Sequence, residues 1–110
     1  LQQDKGYWTR SMMDPAHAPG AETSGTAFFT FGLLWGINND LLNETEYLPV
    51  AIKAWNYLVE TAMQANGKVG YVQPIGERAI PGQIVDKNST ANFGVGAFLL
   101  AATEMYKVCQ

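Results

Sequence analysis

The residues best suited to chemistry are gathered in two stretches of this chain. The first is "GYWTR" at residues 6–10 with His17 and Glu22 soon after it, and the second is "GYVQPIGER" at residues 70–78. Tyr7 and Trp8 are adjacent aromatic rings. They can serve as a platform for an apolar ring face, or they can plug the end of a helical array. Arg10 lies two residues from Trp8, and its planar fork matches a carboxylate in bidentate fashion. The alternative is a surface or helix-end salt bridge. His17 is the only histidine and Cys109 the only cysteine. A metal site needs more nitrogen or sulfur ligands than that, so no metal is expected. His17 then reads as a hydrogen-bonding loop imidazole or as a ligand contact. Glu22 directly precedes a helix. There it can satisfy orphan amides and complement the helix dipole, or it can face a cavity and hold ligand hydroxyls or a neighbouring loop. Gln73 is a candidate polar contact, with Glu77 and Arg78 nearby. No glycine pattern that cradles phosphate and no nucleotide fingerprint is present, and no cofactor is indicated.

The elements that must position these residues follow from the hydrophobic pattern. Residues 1–21 read as loop, with a short strand expected at Tyr7–Thr9 and turns at Asp14-Pro15 and Pro19-Gly20. "ETSGTAFFTFGLLWGIN" then predicts a helix that starts near Thr23 or Ser24, either of which can cap, and ends around Asn38-Asn39. This segment is apolar on nearly every side, whereas a surface helix keeps one wet face. The second helix is amphipathic. Leu48, Ala51, Ile52, Trp55, Leu58, Val59, Ala62 and Met63 recur at helical spacing, opposite Lys53, Asn56, Glu60 and Gln64. Asn43 with Glu46 forms a capping-box pattern, and Pro49 moves the expected regular start to Tyr47 or Leu48. An extended run at Val69–Gln73 and a loop over 74–91 lead to a third helix from Asn92 or Phe93 to Tyr106. The first half of that helix, "FGVGAFLLAA", is again apolar all round.

Apolar, amphipathic, apolar is the order expected of two concentric helical layers, with inner helices walled in and outer helices facing water. The reading is therefore all-α, about three helices of a toroid. Gly25, Gly32 and Gly36 share one side of the first helix, where another helix could come close. Two long loops, 4–22 and 67–91, border the central cavity in such an architecture. Long loops in a compact domain are more often functional than decorative.

Composition bounds the rest. The length of 110 residues allows one domain at most, read here as a single segment over 1–110. Charged residues make up 15% of the chain, against an ordinary share of ~25%. So little polar cover implies a buried piece of something larger or a self-associating chain, with a small complete domain as the alternative. A net charge of −3 with scattered lysines and arginines argues against nucleic acid. The longest apolar run is well short of the ~20 residues of a membrane span, so no membrane is expected. The start "LQQDKGYW" has neither an initiating Met nor a leader, and reads as cut from a longer chain. A lone cysteine leaves the compartment open between cytoplasm and periplasm.

Taken in order, "GYWTRSMMDPAHAPGAETSGTAFFTFGLLWGIN", "YLPVAIKAW", "GKVGYVQPIG" and "FGVGAFLLAATEM" resemble the C-terminal part of the unsaturated glycuronyl hydrolases. The group most alike is the unsaturated rhamnogalacturonyl hydrolases of glycoside hydrolase families 88 and 105. The resemblance runs from about Gly6 to Met105. It implies an (α/α)6 toroid some three times longer than this chain. It also implies removal of a 4,5-unsaturated uronic acid from pectin-derived oligosaccharides. In that family an aspartate protonates the vinyl ether, water adds and the hemiketal opens, unlike the two-carboxylate glycosidase scheme. That aspartate belongs to the N-terminal half of the toroid. Asp4, Asp14, Asp40 and Asp86 do not match it, so no catalytic residue is assigned and the segment is expected to be inactive alone. With an oligosaccharide as partner, Tyr7, Trp8, Arg10, His17, Glu22 and Gln73 become the candidate substrate-binding residues. The remaining surface is expected to self-associate or to pack against the missing N-terminal part. Two other readings stay open: a non-catalytic helical self-association module, and a toroid of another sugar-processing chemistry such as an epimerase.

Overall fold

The computed structural model describes all 110 residues. It contains three helices and no strand: α1 (Thr23–Asn38), α2 (Glu44–Tyr57) and α3 (Asn92–Val108). A π-helical turn, Leu58–Ala62, prolongs α2. The expected strand at Tyr7–Thr9 is a single bridge between Trp8 and Glu22, and the run at Val69–Gln73 contributes one bridge from Val69 to Met63. The remaining amides of that run are spread over several partners. Gly70 donates to Ala62, Tyr71 to Asp86 and Val72 to Ser89, so no continuous ladder forms.

Both ends of α1 and the start of α2 follow local rules. Glu22, rather than Thr23 or Ser24, is the N-cap of α1, and its carboxylate accepts from the Ser24 and Gly25 amides. Thr23 Oγ1 is committed elsewhere. It donates to the Gly70 carbonyl and accepts from the Tyr57 hydroxyl, each at 2.7 Å. Asn39 closes the far end, with its amide group donating to the Trp35 carbonyl at 2.8 Å. For α2, Asn43 Oδ1 accepts from the Glu46 amide at 3.0 Å. That cap starts the helix at Glu44, three or four residues before the start expected from Pro49. Pro49 sits inside the helix on an exposed position, where water can satisfy the carbonyl that its missing N–H leaves unpaired.

Enclosure on every flank was expected of the complete double ring, of which this chain is only part. Within this chain α1 packs on α3 and α2 through one side only. That side combines the small and hydroxylic residues Thr23, Thr26, Ala27 and Thr30 with the aliphatic Leu34 and Ile37. The buried threonine hydroxyls are all satisfied, Thr23 as described and the other two by bonding back to the preceding turn. Thr26 Oγ1 donates to the Glu22 carbonyl and Thr30 Oγ1 to the Thr26 carbonyl, both at 2.7 Å. The aromatic side chains of Phe28, Phe29 and Trp35 face outward instead, with Phe28 48% and Trp35 44% exposed. On α3, Gly94, Ala97, Phe98, Ala101 and Met105 are buried while Val95, Leu99, Leu100 and Tyr106 are bare.

The core has two parts. One joins Ala27, Tyr57, Leu58, Ala62, Val69, Ala97, Phe98 and Ala101. The other joins Leu34, Ala51 and Met105. Trp55 stacks on Phe98 at 5.7 Å between centroids, and full burial of a side chain such as Leu34 or Leu58 is worth about 1.5–3 kcal/mol. As expected, α2 keeps a wet face with Lys53 and Asn56 exposed, but its buried side is shifted: Ala51, Ala54 and Tyr57 face inward, while Ile52 and Met63 of the expected stripe are exposed. The glycines expected to admit a close helix do not do so within this chain. A Cβ on Gly32 would meet nothing, and one on Gly36 would meet only the Leu42 side chain. Close approaches occur elsewhere: a Cβ on Gly6 would collide with the Lys53 carbonyl of α2, one on Gly70 with the Lys87 carbonyl, and one on Gly94 would lie 2.4 Å from Val72 Cγ2.

Candidate functional site

The two long loops meet over the N-terminus of α1, and Glu22 is where they join. Its amide donates to the Trp8 carbonyl at 3.3 Å, which holds the first loop. The Trp8 amide in turn donates to Thr26 Oγ1 at 3.0 Å. The Glu22 carboxylate is 2% exposed at the residue level and is fully engaged. Oε1 accepts from Ser24 Oγ and from the Gly25 amide, each at 2.7 Å. Oε2 accepts from the Ser24 amide at 3.1 Å and from the Gln73 amide at 2.9 Å, which holds the second loop. The Thr23 amide adds a bond to the Tyr71 carbonyl at 2.7 Å. Tyr71 itself has φ of 62°, a left-handed conformation that a bulky residue rarely adopts. The strain sits one residue from Val72 and two from Gln73, where the loop turns toward the cleft.

That junction floors a cleft of about 200 Å³ lined by Trp8, Thr9, Arg10, Met12, Glu22, Gly25, Thr26, Phe29 and Gln73. Trp8 stands on its wall, held edge-on against Phe29 at 5.0 Å between ring centroids. The same ring borders a larger apolar hollow of about 410 Å³ with Phe28, Phe29, Gly32 and Leu33. Arg10 makes no salt bridge, contrary to one of the two readings offered from sequence. Its guanidinium donates to Gln83 Oε1 at 2.8 Å, to the Gln83 carbonyl at 3.2 Å and to the Ile80 carbonyl at 3.4 Å. All three acceptors are neutral, so the positive charge beside the cleft is oriented without being cancelled.

The other candidates sit apart. Tyr7 is half-buried, with its ring 5.5 Å from that of Tyr57, and it packs against the main core. It does not line the cleft. His17 is exposed, with Nε2 3.4 Å from the Ala79 carbonyl, and it borders a separate depression with Arg78, Ala79, Ile80 and Pro81. Sequence reasoning missed Tyr57. This buried phenol is pushed well above its ordinary value by burial, against the opposing effect of its hydrogen bond to Thr23. It anchors the start of α1 from below. It stands outside the apolar stripe read from the sequence, so no local signal marked it. The second stretch named from the sequence does form a polar cleft of its own, about 330 Å³ beside the first, in which Gln73, Glu77 and Arg78 join Ser24 and Phe93. It exists only because loop 2 folds back over the starts of α1 and α3.

In chemical terms the main cleft offers one aromatic face, one oriented cation and amide hydrogen-bonding groups. Its one acid is already occupied by protein donors. The four aspartates, Asp4, Asp14, Asp40 and Asp86, are exposed and lie outside the cleft. The arrangement is equipped to recognise a polar ring that carries a negative charge.

Comparison with known proteins gives a consistent result. The profile of Glycosyl Hydrolase Family 88 matches residues 1–109. The chain is 41% identical over 108 residues to an unsaturated 3S-rhamnoglycuronyl hydrolase of Formosa agariphila, covering 98% of this chain and 28% of that protein. A protein of the same description from Alteromonas sp. (strain LOR) is 41% identical over 105 residues, which is 96% of this chain and 24% of that one. Among solved structures, a glycosyl hydrolase family 88 protein from Bacteroides vulgatus superposes with a TM-score of 0.89 at 68% identity, over 94% of this chain and 30% of its own. A structure described as a polysaccharide lyase gives a TM-score of 0.91 at 67% identity, over 98% of this chain and 30% of its own. The chain thus spans about a quarter of the length of its curated relatives, and its three helices are a piece of the all-α toroid of those enzymes. A match along essentially the whole chain, in sequence and in fold, means that this chain belongs to glycosyl hydrolase family 88.

Proposed function

We propose that this segment forms part of the substrate rim and wall of a hydrolase that removes a 4,5-unsaturated uronic acid from the non-reducing end of an oligosaccharide. The observation that carries this reading is the gathering of Trp8, Arg10 and Gln73 around one cleft, with Arg10 held only by neutral acceptors. The apolar face of a sugar ring suits the Trp8 indole. The uronate carboxylate suits a guanidinium whose charge has no protein counter-ion. In the reaction, a proton is added to the double bond, water adds to the resulting cation, and the hemiketal opens to release the rest of the sugar. The proton donor lies outside this segment, which contributes recognition and has no turnover of its own.

The substrate is an oligosaccharide in which the unsaturated uronate is linked to rhamnose, pectin-derived rhamnogalacturonan fragments being one source. The rhamnoglycuronyl specificity in the names of the two curated relatives supports rhamnose as the adjoining sugar. The test is Trp8→Ala in the complete enzyme, with turnover followed by loss of the double-bond absorbance. The expected result is a fall of about tenfold in kcat/KM. Unchanged kinetics would reduce Trp8 to filler between Phe29 and the loop, and would remove the rim reading.

A further inference from the structure

Glu22 is an unusual choice for a helix cap, because the shorter side chains of Ser, Thr, Asp and Asn satisfy the first amides of a helix more readily. The extra methylene of Glu22 gives it a reach that those residues lack. Its Oε2 bonds the Gln73 amide, 51 residues away in sequence, as well as the Ser24 amide of its own helix. Its backbone holds Trp8 through the single antiparallel bridge. Both walls of the cleft therefore hang on one residue, the first on its backbone and the second on its carboxylate.

We propose that Glu22 is a positioning residue for substrate binding. Its carboxylate latches the second loop to the N-terminus of α1 and so sets the distance across the cleft between Gln73 and Trp8. This inference rests on the rim reading above. Two features favour a latch over a simple cap. First, the four donors to Glu22 come from three residues, one of them on the far loop, and all are neutral, so the carboxylate is consumed by geometry rather than by pairing with a cation. Second, Gln73 precedes Pro74 and a run of exposed residues through Arg78. The Oε2 bond is the last tie before that free stretch, and without it Gln73 would move with the loop. A binding residue held in place before the ligand arrives avoids the ordering cost on binding, and a small misplacement is expensive.

The decisive variant is Glu22→Asp in the complete enzyme. Aspartate is an excellent N-cap, so helix capping and folding survive, but it is one methylene too short to reach the Gln73 amide as well. The latch predicts that KM rises about tenfold while kcat stays within about twofold. It also predicts that the Gln73 amide loses its protection from hydrogen exchange while the Gly25 amide keeps it. A residue that only caps the helix would leave KM unmoved in this variant, and that result overturns the proposal. If Glu22→Asp fails to fold, exchange in the unmodified enzyme decides. A Gln73 amide as protected as that of Gly25 supports the latch, and one exchanging as fast as that of Gly76 overturns it. The Trp8→Ala measurement is separate. Unchanged kinetics there sink the rim reading, whereas a response there combined with an unmoved KM in Glu22→Asp sinks the latch alone.

Discussion

Two carboxylates in this segment are buried, and they illustrate different uses of the same group. Glu22 is held by neutral hydroxyl and amide donors at the cleft. Glu104, near the opposite end of the helices, has an ionic partner: Lys107 Nζ lies 2.9 Å from its Oε2. Asn38 Nδ2 donates to Glu104 Oε1 at 3.1 Å and to the Glu104 carbonyl at 3.0 Å, tying the end of α1 to α3. The Lys107 bond holds the Glu104 carboxyl below its ordinary 4.5, assisted by Asn38, while burial pushes in the opposite direction. A group whose folded value is depressed stabilises the fold above its unfolded value, and that contribution is lost as pH falls through the folded value. Lys107 is exposed, so the effect is modest and weakened by salt. Glu104→Gln in the complete enzyme should therefore lower the melting temperature most at neutral pH, with the gap closing in acid. A gap that stays constant across that range would contradict the ionic account.

Among the elements, α3 depends on a close approach that no propensity scale reveals. Gly94 lies in the first turn of α3, beneath Val72 of the second loop. A methyl group placed there would meet Val72 Cγ2 at 2.4 Å, Cγ1 at 3.1 Å and Cβ at 3.3 Å. Alanine favours helix by about 1 kcal/mol over glycine, so propensity alone forecasts a gain. The contact reverses that sign, because the obstructing atoms belong to a short β-branched side chain in a buried segment and cannot swing aside. Gly94→Ala is expected to destabilise by about 1–3 kcal/mol in denaturant titration of the complete enzyme. A variant as stable as the parent would show that the 69–73 run yields more easily than its amide bonds to Ala62, Asp86 and Ser89 suggest.

For the molecule as a whole, the uncovered faces are the leading property. Phe28, Phe29 and Trp35 on α1, and Val95, Leu99, Leu100 and Tyr106 on α3, form apolar stripes turned away from the core. Monomeric soluble proteins rarely leave patches of this kind bare. In the solved relatives this length is about a third of the chain, so further helices are at hand to cover such stripes. The isolated 110-residue chain should accordingly self-associate at tens of micromolar concentration. Light scattering that gives the mass of a single chain, about 12.0 kDa, would show instead that the stripes are tolerated in water. No helix is long and apolar enough to cross a membrane, so the stripes are not explained by a span.

The number of helices, their approximate limits and the wet face of α2 were legible in the sequence, because periodicity and caps are local. The same local logic marked Glu22 as able to satisfy orphan amides, although it did not show that Glu22 displaces Thr23 and Ser24 as the cap. That Trp8, Arg10 and Glu22 share one loop and its helix junction was also legible, but their convergence on one cleft was not, since His17 of the same loop lies apart. Only the tertiary structure decided which side of α1 is inside. Hydrophobicity is spread around nearly every side and picks no face, and the buried side pairs the threonines and Ala27 with Leu34 and Ile37, since helices approach closely through small residues and a threonine can bond to its own backbone. Gln73 joined Glu22, and Arg10 joined Gln83, across intervals of 51 and 73 residues. Such pairings carry no periodic signal, because a loop's course is set by the surfaces that close over it.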